Sequence, residues 1–266
     1  APFDVRQSGF AGGSINAITK SGTNTYTGSA YTFLRNQDLA GKTPVDLAGD
    51  NGREKLDEFS SNIYGIRIGG PIVEDKVFFF VNYENEKRET PQPFNIENYR
   101  GDATASDLTD LSNFLINNFG YNPGGYANNT ASLNSDKFIA KVDWNINENH
   151  TLALKHSYVK AVQLDAPASN TGSINFFNRA INFESITNST SLELNSKFGN
   201  KYSNNLVIGY TTVNDNRDPN GSPFPSVQIF DAAGSSIFFG SEPFSTANLL
   251  EQRILTLTNN FQIYSG

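Results

Sequence analysis

The chain has 266 residues, with 20 Lys and Arg against 27 Asp and Glu, a net charge of −7, and neither Cys nor Met. At roughly 150 residues per domain, this length fits one or two domains or one piece of a larger protein. The acidic balance argues against a nucleic-acid partner, and the lack of Cys excludes disulfides, thiolate metal sites and a Cys nucleophile. Only two His are present, which leaves little for a His-based metal cage.

The two ends of the sequence suggest an excerpt. The chain begins at Ala1 without Met, shows no signal segment, and stops soon after a strand-like run at residues 255–263. We therefore expect an internal fragment of a longer protein.

The first element in chain order is a glycine-rich turn followed by a short strand. Gly12 and Gly13 permit a turn that a Cβ atom would obstruct. After them, Ile15, Ala17 and Thr19 alternate with their neighbours, as in a strand.

Regular alternation of apolar and polar residues then predicts eight strands of about 10 to 14 residues each. They are centred on residues 26–35, 64–68, 77–83, 137–146, 152–158, 186–198, 206–212 and 255–263. Ordinary strands have about 5 or 6 residues, whereas a strand that crosses a bilayer at a tilt needs about 9 to 11. Strand length therefore favours a membrane barrel over a soluble sandwich.

Long and short connections alternate between these strands. Long polar connections are expected at 36–59, 87–134, 164–182 and 215–250, and short turns around Gly70-Pro71, at 147–149 and at Gly199-Asn200. Outer-membrane barrels have this pattern, with long extracellular loops and short periplasmic turns. The sequence therefore predicts an all-β, antiparallel transmembrane β-barrel, present here in part.

One short helix is predicted inside the longest connection. Thr104 and Asp107 have the spacing of a capping box. Leu108, Leu111, Leu115 and Phe119 follow at helical intervals, and Gly120 is a natural stop. We expect this helix to pack on a layer of loops.

The first third of the chain resembles a known family. The run Gly-Gly-Ser-Ile-Asn-Ala-Ile-Thr-Lys at residues 12–20 resembles the end of the plug domain of TonB-dependent outer-membrane receptors. Residues 28–36 and 69–84 resemble the first barrel strand, second turn and third strand of the Oar-like branch of that family. The motif residues at the plug end are Gly12, Gly13, Ile15, Asn16, Thr19 and Lys20.

The resemblance implies a domain organisation and a function. Residues 1–24 would be the C-terminal end of the plug, and residues 25–266 the N-terminal part of a barrel of about 22 strands. The receptor would bind and import a siderophore, glycan or peptide with energy from the inner membrane. Its partners would be outer-membrane lipid, a TonB-type coupling protein that acts through a missing N-terminal region, and a surface lipoprotein. It would lie in the outer membrane of a Gram-negative bacterium and would not be an enzyme.

Candidate site residues occupy the alternate, polar positions of the strands, and these positions should face the plug or lumen. These lumen candidates are Arg67, Glu84, Glu86, Lys137, Lys141 and Asp143. Aromatic residues expected at the membrane interfaces are Tyr31, Tyr64, Tyr83, Trp144, Tyr158 and Tyr210. Loop aromatics that could stack on a sugar are Tyr121, Tyr126, Phe176 and Phe177.

Other motifs favour ordinary structure over chemistry. The Asn216, Asp218 and Asn220 run lacks the Glu that a calcium loop needs, and Gly41-Lys42-Thr43 lacks the first glycine of a phosphate loop. No catalytic residue, cofactor or metal site is expected. Two alternative functions remain open, namely an outer-membrane adhesion or structural protein on the same barrel, and a soluble β-rich glycan-processing enzyme.

Overall fold

A computed structural model describes residues 18–42, 44 and 52–264. Its long strands are β1 (Thr27–Asn36), β2 (Ser60–Val73), β3 (Val77–Pro93), β4 (Asn128–Asn147), β5 (His150–Asp165), β7 (Ile181–Phe198), β8 (Tyr202–Pro219) and β11 (Asn248–Ile263). Between them lie the helix α1 (Ala105–Phe119) and the short strands β6 (Ser173–Asn175), β9 (Val227–Phe230) and β10 (Ser236–Phe239).

The eight long strands form one sheet, which we call the wall sheet. Its strand order is β1-β2-β3-β4-β5-β7-β8-β11, so each long strand pairs with the next long strand along the chain. All these pairs are antiparallel. The eight predicted strands and their antiparallel arrangement are therefore confirmed, and β1 and β11 are the edges of the sheet among the described residues.

The strands are longer than the alternation indicated. β4 has 20 residues, β7 and β8 have 18 each, and β3 has 17. Most of the extra residues are polar, and they continue the ladder beyond the apolar stretch, as where Gln92 pairs with Asn129. The expected loop at 87–134 is therefore shorter, because backbone hydrogen bonds extend the strands where side-chain patterning has ended.

One predicted turn is displaced. Gly70 and Pro71 lie inside β2, and the turn falls at residues 74–76, where the amide of Lys76 donates to the carbonyl of Val73. Asp75 has a φ of 61° there. A register shift between Pro71 and Val73 accommodates the proline within the strand, since proline lacks the amide that a regular ladder uses.

The wall sheet has one apolar face, which we call the outer face. Directly paired residues point to the same side of a sheet. One such row across six strands consists of Phe79, Val142, Leu154, Leu192, Ile208 and Leu257. Leu154 is 46 % exposed and Leu257 is 71 % exposed. A contiguous apolar band of this kind is what the lipid-facing surface of a barrel requires.

Most of the predicted interfacial aromatics lie on this outer face. Tyr83, Phe138 and Tyr158 are cross-strand neighbours in one row, and Trp144 lies nearer the short turns. Tyr64 and Tyr210 share the same face. Tyr31 does not, because it pairs with Gly65 on the opposite face, so its assignment to the aromatic girdle was wrong.

The predicted helix is confirmed in its details. The side chain of Thr104 accepts from the amide of Asp107, and the Asp107 side chain accepts from the amide of Thr104. Gly120 ends the helix in the left-handed conformation. Leu108 and Leu115 are the buried residues of α1.

The long connections form a separate layer that the alternation did not predict. We call residues 94–127, 166–180 and 220–247 the loop layer. In it, β6, β10 and β9 form a three-stranded sheet, with β6 parallel and β9 antiparallel to β10. Helix α1 and this sheet share a hydrophobic core, whose buried members are Tyr99, Leu108, Leu115, Tyr121, Ile174, Phe176, Ile237 and Phe239.

No helix within the described residues is long and apolar enough to span a membrane.

Candidate functional site

The six lumen candidates share the face opposite the apolar band, which we call the inner face. Gly65 pairs with Glu84, and Glu84 pairs with Lys137, which places these three positions in one row. Arg67, Glu86, Lys141 and Asp143 lie at even spacings from them along β2, β3 and β4, so they point the same way. The structure thus brings all six charged residues to one face.

A hydrogen-bonded cluster occupies the middle of this face. The Tyr31 hydroxyl donates to Glu84 Oε2 at 2.6 Å. Lys137 Nζ lies 3.0 Å from Glu84 Oε1 and 3.1 Å from Glu86 Oε2. The two carboxylates on β3 therefore share one ammonium group on β4.

Tyr31 reaches Glu84 because Gly65 has no side chain. A Cβ atom on Gly65 would lie 2.1 Å from Cζ of Tyr31, so the tyrosine ring fills the space that any other residue would occupy. Sequence reasoning missed Tyr31 as a member of this cluster. The signal that could have found it is the pairing of a glycine with an aromatic residue on neighbouring strands.

The remaining candidates make smaller contacts. Lys141 Nζ lies 2.8 Å from Asp143 Oδ1 on the same strand. Arg67 Nε donates to Ser29 Oγ at 2.7 Å. None of these arrangements contains the nucleophile, base and orienting group that acyl-transfer chemistry needs, and all are typical of charged residues that hold a surface together.

The segment that precedes β1 lies on this same inner face. A Cβ atom on Gly22 would lie 2.3 Å from the carbonyl oxygen of Phe79 and 2.6 Å from that of Gly70, so the backbone at Gly22 is pressed onto β2 and β3. Lys141 Nζ donates to Ser21 Oγ at 2.7 Å. The chain therefore enters the first strand from the polar side of the sheet.

A second contact fastens the segment at the short turn between β2 and β3. Asn24 Nδ2 donates to Asp75 Oδ1 at 2.6 Å, and the amide of Asp75 donates to Asn24 Oδ1 at 2.8 Å. The reciprocal pair fixes the chain just before β1 begins.

The predicted plug-end residues divide into two groups. Thr19 and Lys20 are described, and Thr19 lines a cavity of about 240 Å³ with Ile18, Lys141, Lys155, Ser191 and Glu193. Gly12, Gly13, Ile15 and Asn16 lie outside the described residues.

An amide-rich network lies on the inner face near the short turns and was not anticipated. Glu193 Oε1 accepts from Asn195 Nδ2 at 3.1 Å and from Asn205 Nδ2 at 2.7 Å. Asn205 in turn accepts from Asn260 Nδ2 at 3.5 Å. The signal that could have found it is the recurrence of Asn at one register position on three neighbouring strands.

The other candidate sites take structural roles. Tyr121 and Phe176 are 3 % and 1 % exposed, so they are core residues rather than sugar-stacking platforms. His156 Nδ1 lies 2.9 Å from the hydroxyl of Thr190 on the outer face. Among the described residues no group of three or more His, Cys, Asp or Glu side chains could hold a metal ion.

An acidic residue connects the parts of the loop layer. Asp231 Oδ1 accepts from the amide of Ala232, and Asp231 Oδ2 accepts from the amide of Ala103 at 3.1 Å. The bond from Ala232 contributes most to holding the pKa of Asp231 below its ordinary value. Burial raises the pKa of the neighbouring Tyr99 to about 12, and the charge of Asp231 acts in the same direction.

Three comparisons place this geometry among known proteins. Residues 18–113 match a family model described as an outer membrane beta barrel domain. The chain is 25 % identical over 148 residues to the TonB-dependent transporter Oar of Myxococcus xanthus. This match covers 53 % of the chain and 13 % of that transporter. The fold is similar to the crystal structure of the siderophore receptor PirA from Acinetobacter baumannii, with a TM-score of 0.50 and 14 % identity.

These findings bear out the fold class and the outer-membrane location. The structural match covers 92 % of this chain and 28 % of the receptor, so the chain spans less than a third of either relative's length. The relatives are a transporter and a receptor rather than enzymes, in agreement with the expectation from sequence.

Proposed function

Because the chain is related to the TonB-dependent receptors of the Gram-negative outer membrane, we propose that it is the first part of a receptor barrel that imports a nutrient with energy from the inner membrane. In this proposal residues 1–24 are the end of the plug, and residues 25–266 belong to the barrel. The nutrient is a siderophore, a glycan or a peptide.

One observation carries the proposal, namely the position of residues 18–25 on the inner face. Ser21 and Gly22 contact the polar side of the wall sheet, and Asn24 contacts the turn between β2 and β3. When such a sheet closes with its apolar band toward lipid, its polar face encloses the lumen. A domain that joins the barrel through this segment would therefore occupy the lumen.

A filled lumen has a mechanical consequence. Nothing as large as a siderophore or an oligosaccharide can pass until the plug moves, and moving it breaks the contacts that hold it. Work must come from outside the protein, because the outer membrane has no ATP of its own. Coupling to an inner-membrane protein through the plug's N-terminal region supplies that work.

In this proposal the charged cluster anchors the plug. Lys141 already bridges the wall sheet and the pre-strand segment through Ser21. Arg67, Glu84, Glu86, Lys137 and Asp143 lie on the same face of three neighbouring strands, β2, β3 and β4, and offer further polar partners to a domain in the lumen.

The test uses the whole protein in its own host. Strains with and without the gene, each with and without the TonB-type coupling protein, are given an iron-55 siderophore complex, a labelled neutral oligosaccharide and a labelled peptide. We expect uptake of one probe to require both genes. Uptake of none, together with cell-surface binding that survives loss of the coupling protein, would instead support the adhesion or structural alternative.

A further inference from the structure

A cleft of about 580 Å³ opens in the loop layer between α1 and the start of β4. Its volume lies within the range of about 300 to 1,000 Å³ that is typical of small-ligand sites. The buried side chains of Leu108 and Phe176 line its base, each 1 % exposed. Its lining residues on β4 lie at least seven positions along the strand from Lys137 of the charged cluster.

None of the residues that line the cleft is charged. The polar residues among them are Thr109, Ser112, Asn113, Asn128, Asn129 and Thr130. An anionic ligand, such as a phosphate or an iron-bound carboxylate, would find no compensating cation there. The lining is suited to an uncharged ligand with many hydrogen-bonding groups.

Several of these polar groups are available to a ligand. Thr109 and Ser112 donate their hydroxyl protons to the helix carbonyls of Ala105 and Leu108, which leaves their oxygens as acceptors. Within the described part of the chain, the side-chain amides of Asn113 and Asn128 make no hydrogen bond, and each offers two donors and an acceptor.

An aromatic wall completes the cleft. Phe177 and Tyr126 are half-buried and line it. The wall is held in place because the amide of Phe177 donates to the carbonyl of Gly125 at 2.7 Å, and the amide of Asn178 donates to that of Pro123 at 2.9 Å. Gly124, with a φ of 80°, allows the close approach, since a Cβ there would lie 2.9 Å from that of Phe177.

We propose that this cleft binds a neutral oligosaccharide. A sugar ring has an apolar C–H face that packs on an aromatic ring, and its hydroxyls each donate and accept, as the free amides of Asn113 and Asn128 do. An extended peptide that adds to a sheet is bound, by contrast, through main-chain hydrogen bonds along a strand edge. The inference rests on the proposed function and names its substrate class.

The test measures binding to the intact receptor purified in detergent. The probes are maltohexaose, cellohexaose, xylohexaose and mannohexaose, with hexagalacturonate and a neutral hexapeptide for comparison. We expect at least one neutral hexasaccharide to bind with a Kd below about 1 mM. Tighter binding of hexagalacturonate or of the peptide, or binding of none of the neutral sugars, would overturn the inference.

Three variants locate the site. Phe177→Leu keeps apolar volume but removes the ring, and we expect it to weaken binding about tenfold. Asn113→Ala removes one free amide, and we expect a loss of about fivefold. Asn118→Ala is the matched control, because its amide donates to the carbonyl of Phe114 within α1 and lies outside the cleft.

Two results separate this inference from the proposed function. Unchanged affinity in both Phe177→Leu and Asn113→Ala, with α1 still protected from hydrogen exchange, would contradict the cleft as the site. Energised uptake of a siderophore or peptide in the same strain would then leave the transport function standing.

Discussion

The wall sheet and the loop layer solve the burial of apolar residues in opposite ways. In the wall sheet, Ile66, Leu255 and Leu257 are 56 %, 74 % and 71 % exposed. In the loop layer, Leu108, Ile174 and Phe176 are at most 1 % exposed. Lipid covers the apolar outer face of the wall sheet, whereas the loop layer has a hydrophobic core of its own, like a water-soluble domain.

The two regions are stabilised by different interactions, namely backbone hydrogen bonds in the wall sheet and side-chain packing in the loop layer. The wall sheet is held by backbone pairing between all neighbouring long strands, from Thr27 paired with Gly69 to Ile263 paired with Tyr202. The loop layer has strands of only three or four residues, so side-chain packing must hold it together. Substitutions should therefore act differently in the two regions.

The largest effect is expected from emptying the loop-layer core. Phe176→Ala should cost about 3 to 5 kcal/mol of loop-layer stability, because the cavity it leaves lies among Tyr126 and Phe239. Hydrogen exchange should show α1 losing protection while β4 and β5 keep theirs. Equal loss in the wall sheet would contradict the separation of the two regions.

The second effect concerns the lipid-facing side. Ile208→Arg should destabilise membrane insertion by about 2 to 4 kcal/mol, because the charge enters the apolar band. The matched control is Val207→Arg, one residue away, which points to the inner face where Val207 pairs with Glu193. Heat-modifiable gel mobility in outer-membrane fractions measures the folded share. Similar losses in both variants would mean that the two faces are wrongly assigned.

A smaller effect is expected at the glycine beneath Tyr31. Gly65→Ala should cost about 1 to 3 kcal/mol, because the added Cβ forces the Tyr31 ring away from Glu84. Gly209→Ala is the control, since its nearest neighbour, Cβ of Thr256, would lie at an ordinary 3.6 Å. Denaturant unfolding of the receptor in detergent compares the two. A harmless Gly65→Ala would contradict the packing of the cluster.

The contact between the wall sheet and the pre-strand segment should contribute about 1 kcal/mol. Lys141→Met removes the donor to Ser21. We expect faster hydrogen exchange in residues 18–22 of this variant, with its ligand affinity unchanged. Lys155→Met is the control, because Lys155 lines the same cavity but makes no hydrogen bond to the described residues 18–25 of the segment. Unchanged exchange together with unchanged affinity would count against a role in plug docking.

The smallest effect is that of acid on the loop layer. Because the folded pKa of Asp231 is lowered, its stabilisation is present above its ordinary pKa and is lost as pH falls through the lowered value. Below about pH 4, we expect faster hydrogen exchange in α1. The free energy of opening the helix should fall by no more than about 1 kcal/mol. Asp231→Asn should reduce this acid sensitivity. An identical pH profile in the variant would assign the effect to other carboxyl groups.

The plug end, the domain boundary at residue 24 and the roles of the six charged residues stay predictions. The shared face of those residues follows from period-two patterning, which a single strand displays without its neighbours. The ion pairs between these residues do not follow from that patterning, because they depend on the register in which neighbouring strands align. Lys137 meets both Glu84 and Glu86 only because β3 and β4 align as they do.

The sequence by itself determined the eight strands, the apolar outer face and helix α1, since each follows from local periodicity or from a cap such as Thr104 with Asp107. Only the tertiary structure decided the position of Tyr31 over Gly65, the turn at residues 74–76 and the loop layer. These depend on contacts between residues far apart in the chain, as between Tyr121 and Phe224, whose rings stack at 4.0 Å. Short irregular segments have no periodic sequence pattern that would predict their long-range packing. The cleft beside α1 could therefore be found only in the folded structure.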